Sequence, residues 1–418
     1  MRKKILLIIA SWAVISTVQI FAADTLDIYK VIDLGLQNSY DLMTEKYSLR
    51  IARENLYSSY LNFLPQINYN ISRAEAANET EKSGNITVSE SFSSSAERYF
   101  NVKNNLSSLK QNEIQLELSK RELIYQITQY YLNVLAAEEL LTVTKLDLAI
   151  AKQALEETKI LHSHGKASDL DLQMATVSVE RARIDSLQRE NTLEKNKMDL
   201  CFLINIDYDP EYIFTDLSYE FLSPEDFSFT ESKNLRISSS AENLKQIKTS
   251  YTQTKLDFLP ALSFSLSKSL EWKEKNIFDF DDTASPLRYT LSLSYPLLNP
   301  LTNIPSTQSS KYRLRQAELQ FDQTREEEKQ NFQFALTNFN QGKMSLNLAE
   351  RQQQLEELNL NLVSEQYRLG QVSLTDLENA RKSLLQSQVD YIQEYYNLIL
   401  LQEELNLITN TKMLSKYQ

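Results

Sequence analysis

Residues 165–205 of this chain recur, without a gap, at 370–410. The first copy opens Gly165-Lys166-Ala167-Ser168-Asp169-Leu170-Asp171-Leu172, and the second opens Gly370-Gln371-Val372-Ser373-Leu374-Thr375-Asp376-Leu377. Of the 41 aligned positions 11 are identical, among them Ala175/Ala380, Ser178/Ser383, Asp185/Asp390, Leu193/Leu398 and Leu200/Leu405. The offset of 205 residues (370 minus 165) is far longer than a solenoid unit of about 20–50 residues. It marks a duplicated half-molecule and predicts internal pseudo-symmetry. The duplication reaches upstream, where Leu61-Asn62-Phe63-Leu64-Pro65 recurs as Leu256-Asp257-Phe258-Leu259-Pro260, at an offset of 195. The second half has therefore gained about ten residues in between, and the stretch Trp272–Pro286 is the expected place. An insertion that leaves both flanks intact belongs in a surface loop.

Two long gaps in the proline distribution fix the next expectation. None of the 8 prolines falls between Pro65 and Pro210 or after Pro305, and the chain has only 5 glycines. Proline breaks helix interiors and glycine weakens them, so both gaps can hold very long helices. Ile127, Val134, Leu141, Leu148 and Leu155 are spaced by seven, as are Leu348, Leu355, Leu362 and Leu369, and then Leu377, Leu384, Tyr391, Leu398 and Leu405. This spacing predicts coiled-coil-like packing against other helices. A helix from about Ala96 to His162 is the first expectation. Gly165 and Gly370 then end the descending helices in a left-handed turn, and Ser168 and Ser373 cap the returning ones. The result is two helical hairpins with their tips at Gly165 and Gly370.

Four short segments change to a period of two. Ile67, Tyr69 and Ile71 alternate with Asn68, Asn70 and Ser72, and Leu262, Phe264 and Leu266 alternate with serines. Leu291, Leu293 and Tyr295 do the same, as do Ile86, Val88 and Phe92, although Glu90 interrupts that last phase. The expected strands are 64–73, 85–95, 259–271 and 287–298, with polar loops at 74–85 and 273–285. A soluble sandwich also alternates. Segment length, terminal aromatics and the longer polar loops favour a membrane barrel. Four strands cannot close a barrel, and an open edge in lipid is forbidden, so several chains would have to share one.

Residues 1–22 read as a secretory leader: basic Arg2, Lys3 and Lys4, an apolar run from Ile5 to Ile15, and a cleavage site after Ala22. The single cysteine, Cys201, excludes an intramolecular disulfide. A net charge of −12 disfavours nucleic acid. The only histidines, His162 and His164, are two apart and do not share a helix face, so no metal centre is expected. No phosphate-binding loop, dinucleotide fingerprint or nucleophile elbow occurs, and neither enzyme activity nor a cofactor is expected.

In this order and in duplicate, these features resemble the TolC-like outer-membrane efflux family. The Phe-Leu-Pro before each half's first strand, Tyr295-Pro296-Leu297, and Tyr367-Arg368-Leu369-Gly370 followed by Asp376-Leu377 and Ala380 carry the resemblance. It implies a mixed, mainly α fold: a long periplasmic α-helical barrel plus four membrane β-strands per protomer, in a homotrimer with a twelve-stranded β-barrel. Residues 23–205 and 234–410 would be the two repeats, with 206–233 and the tail 411–418 forming an equatorial belt. It further implies a passive exit duct for efflux or type I secretion, joined by a periplasmic membrane-fusion adaptor to an inner-membrane transporter of the RND, ABC or MFS type. Asp171 and Tyr367 match residues of the network that closes the tunnel, and Asp376 matches a constriction aspartate. Asp171 and Asp376 also fit simple early-helix carboxylates facing the helix dipole. Val372 and Asn379 stand where the family can carry a constriction arginine and a second acid. Gly165, Lys166, Ala167 and Ser168, with Leu369, Gly370, Gln371, Val372 and Ser373, resemble the adaptor-docking tips. A soluble periplasmic coiled-coil or adaptor protein is the competing expectation.

Overall fold

The structure is a computed structural model that describes residues 25–76, 79–272, 280–281, 286–295 and 299–414. The expected leader, Pro296-Leu297 and the last four residues lie outside them. The chain begins with β1 (Thr25–Leu26), α1 (Ile28–Asn38) and α2 (Tyr40–Leu61). A hairpin of β2 (Gln66–Ala76) and β3 (Glu79–Ser91) leads into α3 (Phe92–Ser163) and α4 (Asp169–Leu203). After β4 (Ile213–Phe214) the order repeats: α5 (Leu235–Thr254), β5 (Ala261–Trp272), β6 (Phe280–Asp281), β7 (Arg288–Ser294), α6 (Asn299–Arg368) and α7 (Leu374–Thr409). The duplicated halves are thus α2-β2-β3-α3-α4 and α5-β5-β7-α6-α7.

Both proline gaps hold very long helices, and α6 starts before its gap, with Pro300 at its first turn and Pro305 inside the helix. At 1.5 Å per residue, the 72 residues of α3 span about 108 Å and the 70 of α6 about 105 Å. The sheet therefore stands at one end of the molecule and the hairpin tips at the other. No helix among the described residues is long and apolar enough to cross a membrane.

The sheet runs β2-β3-β5-β7, all antiparallel, and joins the halves through β3 and β5. Its outer strands, β2 and β7, each leave one edge unpaired among the described residues. Two boundaries differ from expectation. The segment 74–85 is not a loop: Ala74 pairs with Glu81 and Ala76 with Glu79, so the ladder continues almost to its turn. Apolar alternation lapses there, but the backbone ladder does not depend on side-chain polarity. Residues 92–95, expected as strand, are the first turn of α3. The alternation is already broken at Glu90, and the serines at 93–95 carry no phase to prolong it. In the second half β6 pairs with the end of β5 (Trp272 with Phe280), on the edge where β7 pairs further along. The insertion expected at Trp272–Pro286 falls mostly on residues 273–279 and 282–285, which lie outside the described residues.

The main core sits at the equator. Ile127, Tyr131, Val134, Leu200, Ile204 and Ile399 from α3, α4 and α7 pack with Val31 and Ile32 of α1 and with Phe214. Tyr131 is fully buried, and its hydroxyl donates to the carbonyls of Leu26 (3.0 Å) and Thr215 (2.6 Å). It thereby pins the two-stranded parallel sheet of β1 and β4 to α3. Gly35 makes this approach possible, because a Cβ there would lie 2.3 Å from Ile127 Cδ1. The belt 206–233 is fastened by Phe227, whose ring meets Phe339 edge-on at 5.6 Å. Buried Glu403 accepts from Tyr219 Oη (2.7 Å), Asn406 Nδ2 (3.2 Å) and the Leu414 amide (3.2 Å), holding belt and tail to α7.

The three rows of seven behave differently. Ile127, Val134 and Leu141 are buried, as are Leu377, Leu384, Leu398 and Leu405. Leu348, Leu355, Leu362 and Leu369 are all exposed, at 59–65 %. Their spacing asks for a helix partner, and the described residues supply none on that face of α6.

Candidate functional site at the helical tips

Both tips are built by the same local rules. Gly165 has φ +68° and Gly370 φ +73°, with open space around each. The amides of Lys166 and Gln371 donate back to the carbonyls of Leu161 and Gln366, both at 2.9 Å, closing each helix with a glycine-centred turn. Each returning helix starts with a reciprocal cap. The Asp171 amide donates to Ser168 Oγ (3.2 Å), while Asp171 Oδ2 accepts from the Ser168 amide (2.8 Å) and hydroxyl (2.7 Å). Asp376 and Ser373 repeat this at 3.2, 3.0 and 2.6 Å. These serine donors hold both carboxyl groups below the usual carboxylate range. The Ser-x-x-Asp spacing common to the two repeats is therefore, first of all, a helix-start device.

Gly165, Lys166, Ser168, Leu369, Gly370, Gln371 and Ser373 are exposed, whereas Ala167 and Val372 are half-buried. Val372 packs against a small tip core of Ala154, Ala175, Leu360, Tyr367, Leu374, Leu377, Ala380 and Leu384, which draws on α3, α4, α6 and α7. Asn379 is exposed. At the first tip, His162 Nε2 and Asp169 Oδ1 lie 2.8 Å apart.

Tyr367 and Asp171, expected in one network, do not share a hydrogen bond. Tyr367 is 4 % exposed, and its hydroxyl meets Thr158 Oγ1 of α3 at 2.8 Å. Burial pushes its pKa up, with the Asp171 charge as a smaller contribution in the same direction. Asp171 acts on Tyr367 through its field, not through contact.

A cluster that the sequence reading missed lies above the tips. Arg381 of α7, Asp147 of α3, Ser178 of α4 and Glu378 of α7 meet in the interior. Burial raises the Asp147 pKa, an effect opposed by Arg381 and reinforced by Glu378 and Asp185. The signal was present in the spacing. Leu377, Arg381 and Leu384 lie on one helix face, as do Thr144, Asp147, Ala151 and Ala154. A charge on an apolar face is the residue to question.

An unclosed four-stranded sheet feeding helical hairpins about 100 Å long defines a channel-tunnel subunit. The sequence matches the outer membrane efflux protein family over residues 31–205 and 230–411, and the chain belongs to that family. No match was found among curated protein sequences. The fold is similar to the outer membrane protein VceC of Vibrio cholerae, with TM-score 0.82, 14 % identity, and 92 % of this chain and 96 % of that one covered. It is also similar to the Campylobacter jejuni CmeC outer membrane channel, with TM-score 0.77, 18 % identity and coverage of 91 % and 85 %. The open state of the Neisseria gonorrhoeae MtrE outer membrane channel gives TM-score 0.73 at 18 % identity, with 92 % and 89 % covered. The chain is an outer-membrane channel-tunnel subunit of an efflux system, and its long helical part is periplasmic.

Proposed function

We propose that three copies of this chain share one twelve-stranded barrel and one helical tunnel, forming a passive exit duct whose periplasmic end is closed at the tips. The observation that carries this reading is the pair of open sheet edges. β2 and β7 each need a partner, because unpaired backbone groups in lipid are too costly to persist. The helices ask for the same copies. Within the chain α3 packs on α7, joining the halves. Shifting that contact by the duplication places α6 against α4 of a second copy, and both helices expose apolar residues. Leu348, Leu355 and Leu362 are exposed on α6, and Leu170, Val177 and Ile184 on α4.

In this assembly Asp376 contributes to a ring of three carboxylates at the narrow end, which favours cations. Its Oδ2 is engaged by Ser373, so the ring stands on rigid helix starts. Tyr367, through Thr158, holds the hairpins together there, and Asp171 caps the start of α4 beside it. The exposed tips, residues 165–168 and 369–373, dock a periplasmic adaptor, which links the duct to an energised inner-membrane transporter of the RND, ABC or MFS type. Purified protein in a planar bilayer tests the gate. A small closed-state conductance that rises several-fold in Asp171→Ala and in Tyr367→Phe is expected. Unchanged conductance in both variants removes the gate assignment.

A further inference from the structure

At the equator α3, α6, α7 and the first residues of α5 surround a cavity of about 310 Å³. Tyr125, Phe334, Leu407 and Ile408 give it apolar walls, and Glu404, Glu328 and Arg236 are part of its polar lining. That volume and that mixture suit a small organic molecule. The cavity opens on the side turned away from the belt. Ile127 of α3 packs with Phe214, and Gln402 of α7 accepts from the Leu222 amide at 2.9 Å. Tyr125 and Glu404 each stand two residues from these, about 200° around their helices. On α6, Phe339 meets Phe227 of the belt, and Phe334 stands five residues before it, about 140° around. Phe334 is 68 % exposed. In a tunnel whose wall is one helix thick and whose belt lies outside, such a cavity faces the lumen.

The charges around it are unevenly matched. Arg236 Nη2 lies 3.0 Å from Glu122 Oε1 and Nη1 lies 3.8 Å from Glu328 Oε1, so two carboxylates share one guanidinium. The start of α5 is capped, with Asn234 Oδ1 accepting from the Ile237 amide at 3.0 Å, which weakens it as an anion site. Glu404 is left over. Among the described residues neither its carboxylate nor the Tyr125 hydroxyl has a hydrogen-bond partner. Burial raises the Glu404 pKa with no cation of the chain opposing it. Burial also raises that of Tyr125, and the Glu404 charge adds to this, which places the two groups near each other. An uncompensated carboxylate beside aromatic faces is an arrangement that recognises organic cations, because the charge and the ring quadrupoles attract the same ligand.

We propose that this cavity binds small amphiphilic monocations, protonated tertiary amines or quaternary ammonium compounds, with Glu404 as counter-charge and Tyr125 and Phe334 against the apolar part. The proposal gives the exit duct a substrate class and rests on that reading for the cavity's place on the tunnel wall. The test uses the full chain purified in detergent and a photoreactive cation, 4-azidobenzyltrimethylammonium, with labelled peptides mapped by mass spectrometry. Benzyltrimethylammonium and phenylacetate, similar in size and opposite in charge, are the competitors. Label is expected on peptides that contain Tyr125, Phe334 or Leu407, with protection by benzyltrimethylammonium and none by phenylacetate at the same concentration. Glu404→Gln is expected to weaken the apparent affinity about tenfold, and Phe334→Ala several-fold. Glu190→Gln, which removes an exposed charge on α4, is expected to leave it unchanged. Label confined to other peptides, equal protection by phenylacetate, or an unchanged affinity in Glu404→Gln would each overturn the proposal. If Glu404→Gln does not fold, the two competitors on the unsubstituted protein and the Phe334→Ala variant decide the question. Failure of the tunnel reading looks different. The cavity is built by one chain, so cation-specific label on a protein that light scattering shows to be a monomer would remove the tunnel and keep the binding site.

Discussion

Tyr367, at the foot of α6, shares a 2.8 Å hydrogen bond with Thr158 of α3, and both residues are buried. This bond crosses from one repeat to the other two turns above the tips. It occupies the phenol that the family resemblance matches to the network closing the tunnel. Tyr367→Phe removes one neutral buried bond, worth about 0.5–1.5 kcal/mol, while Thr158→Val leaves the phenol unpaired and costs about 1–3 kcal/mol. Thr158→Val is therefore expected to lower the thermal midpoint of the tip region more than Tyr367→Phe. The opposite order, followed by hydrogen exchange at residues 155–165 and 363–372, would mean that Thr158 is not the partner that matters.

The capping aspartates make the tips sensitive to acid. Asp171 and Asp376 are held below their ordinary pKa by their serines, so each favours the folded form while ionised. That contribution is complete above the ordinary carboxylate value and is lost as the pH falls through the lower, folded value. Faster amide exchange at the first turns of α4 and α7 is expected on acidification from neutral pH to about 3. Ser168→Ala is expected to cost its helix start about 1 kcal/mol and, with Ser373→Ala, to abolish most of the pH effect. Exchange that does not depend on pH in the unsubstituted protein would contradict this.

Gly370 holds φ +73° with open space around it, so a substitution there is limited by backbone and not by crowding. Gly370→Val is expected to destabilise the tip by roughly 1–2 kcal/mol, and Gly370→Asn by much less, because asparagine visits the left-handed region. Equal effects of the two, measured by chemical denaturation in detergent, would argue that the side chain meets a neighbour in the assembly.

Glu403 is the fastening point of the belt. Replacing it with leucine strands Tyr219 Oη and the Leu414 amide, at about 1–3 kcal/mol for each group left unpaired. Burial, the largest cause of the raised Tyr219 pKa, remains in the variant, so ionisation of the phenol offers no relief. Limited proteolysis is expected to cut Glu403→Leu within residues 206–233 well before the unsubstituted protein. Identical cleavage rates would show that Phe227 and the other apolar contacts suffice.

Much of the fold was legible because the deciding signals are local or repeated. Pro65 and Pro260 end helices, Gly165 and Gly370 turn them, and seven-residue spacing gives the buried faces of α3 and α7. Strand ends were less legible. Side-chain alternation reports the polarity that each face meets, so it lapses near Ala74, while the pairing of Ala74 with Glu81 and Ala76 with Glu79 goes on. The exposed row from Leu348 to Leu369 reads like a core face in sequence, because periodicity shows that a partner exists without showing in which chain. The Ser-x-x-Asp repeats were read correctly as caps. The Arg381 cluster was missed because Arg381 and Glu378, a turn apart on α7, find their partners Ser178 and Asp147 at least 200 residues away (Glu378 is 200 from Ser178, Arg381 is 234 from Asp147). The Thr158–Tyr367 bond was missed for the same reason.

The open edges of β2 and β7 make a shared barrel the central claim. Its most direct test is the mass of the protein extracted from outer membranes in mild detergent, by light scattering with the detergent contribution subtracted. A mass of three chains, about 146 kDa from three times the 48.5 kDa of the full sequence, is expected. A single chain released into buffer without detergent would contradict the shared barrel and leave a soluble periplasmic helical protein in its place.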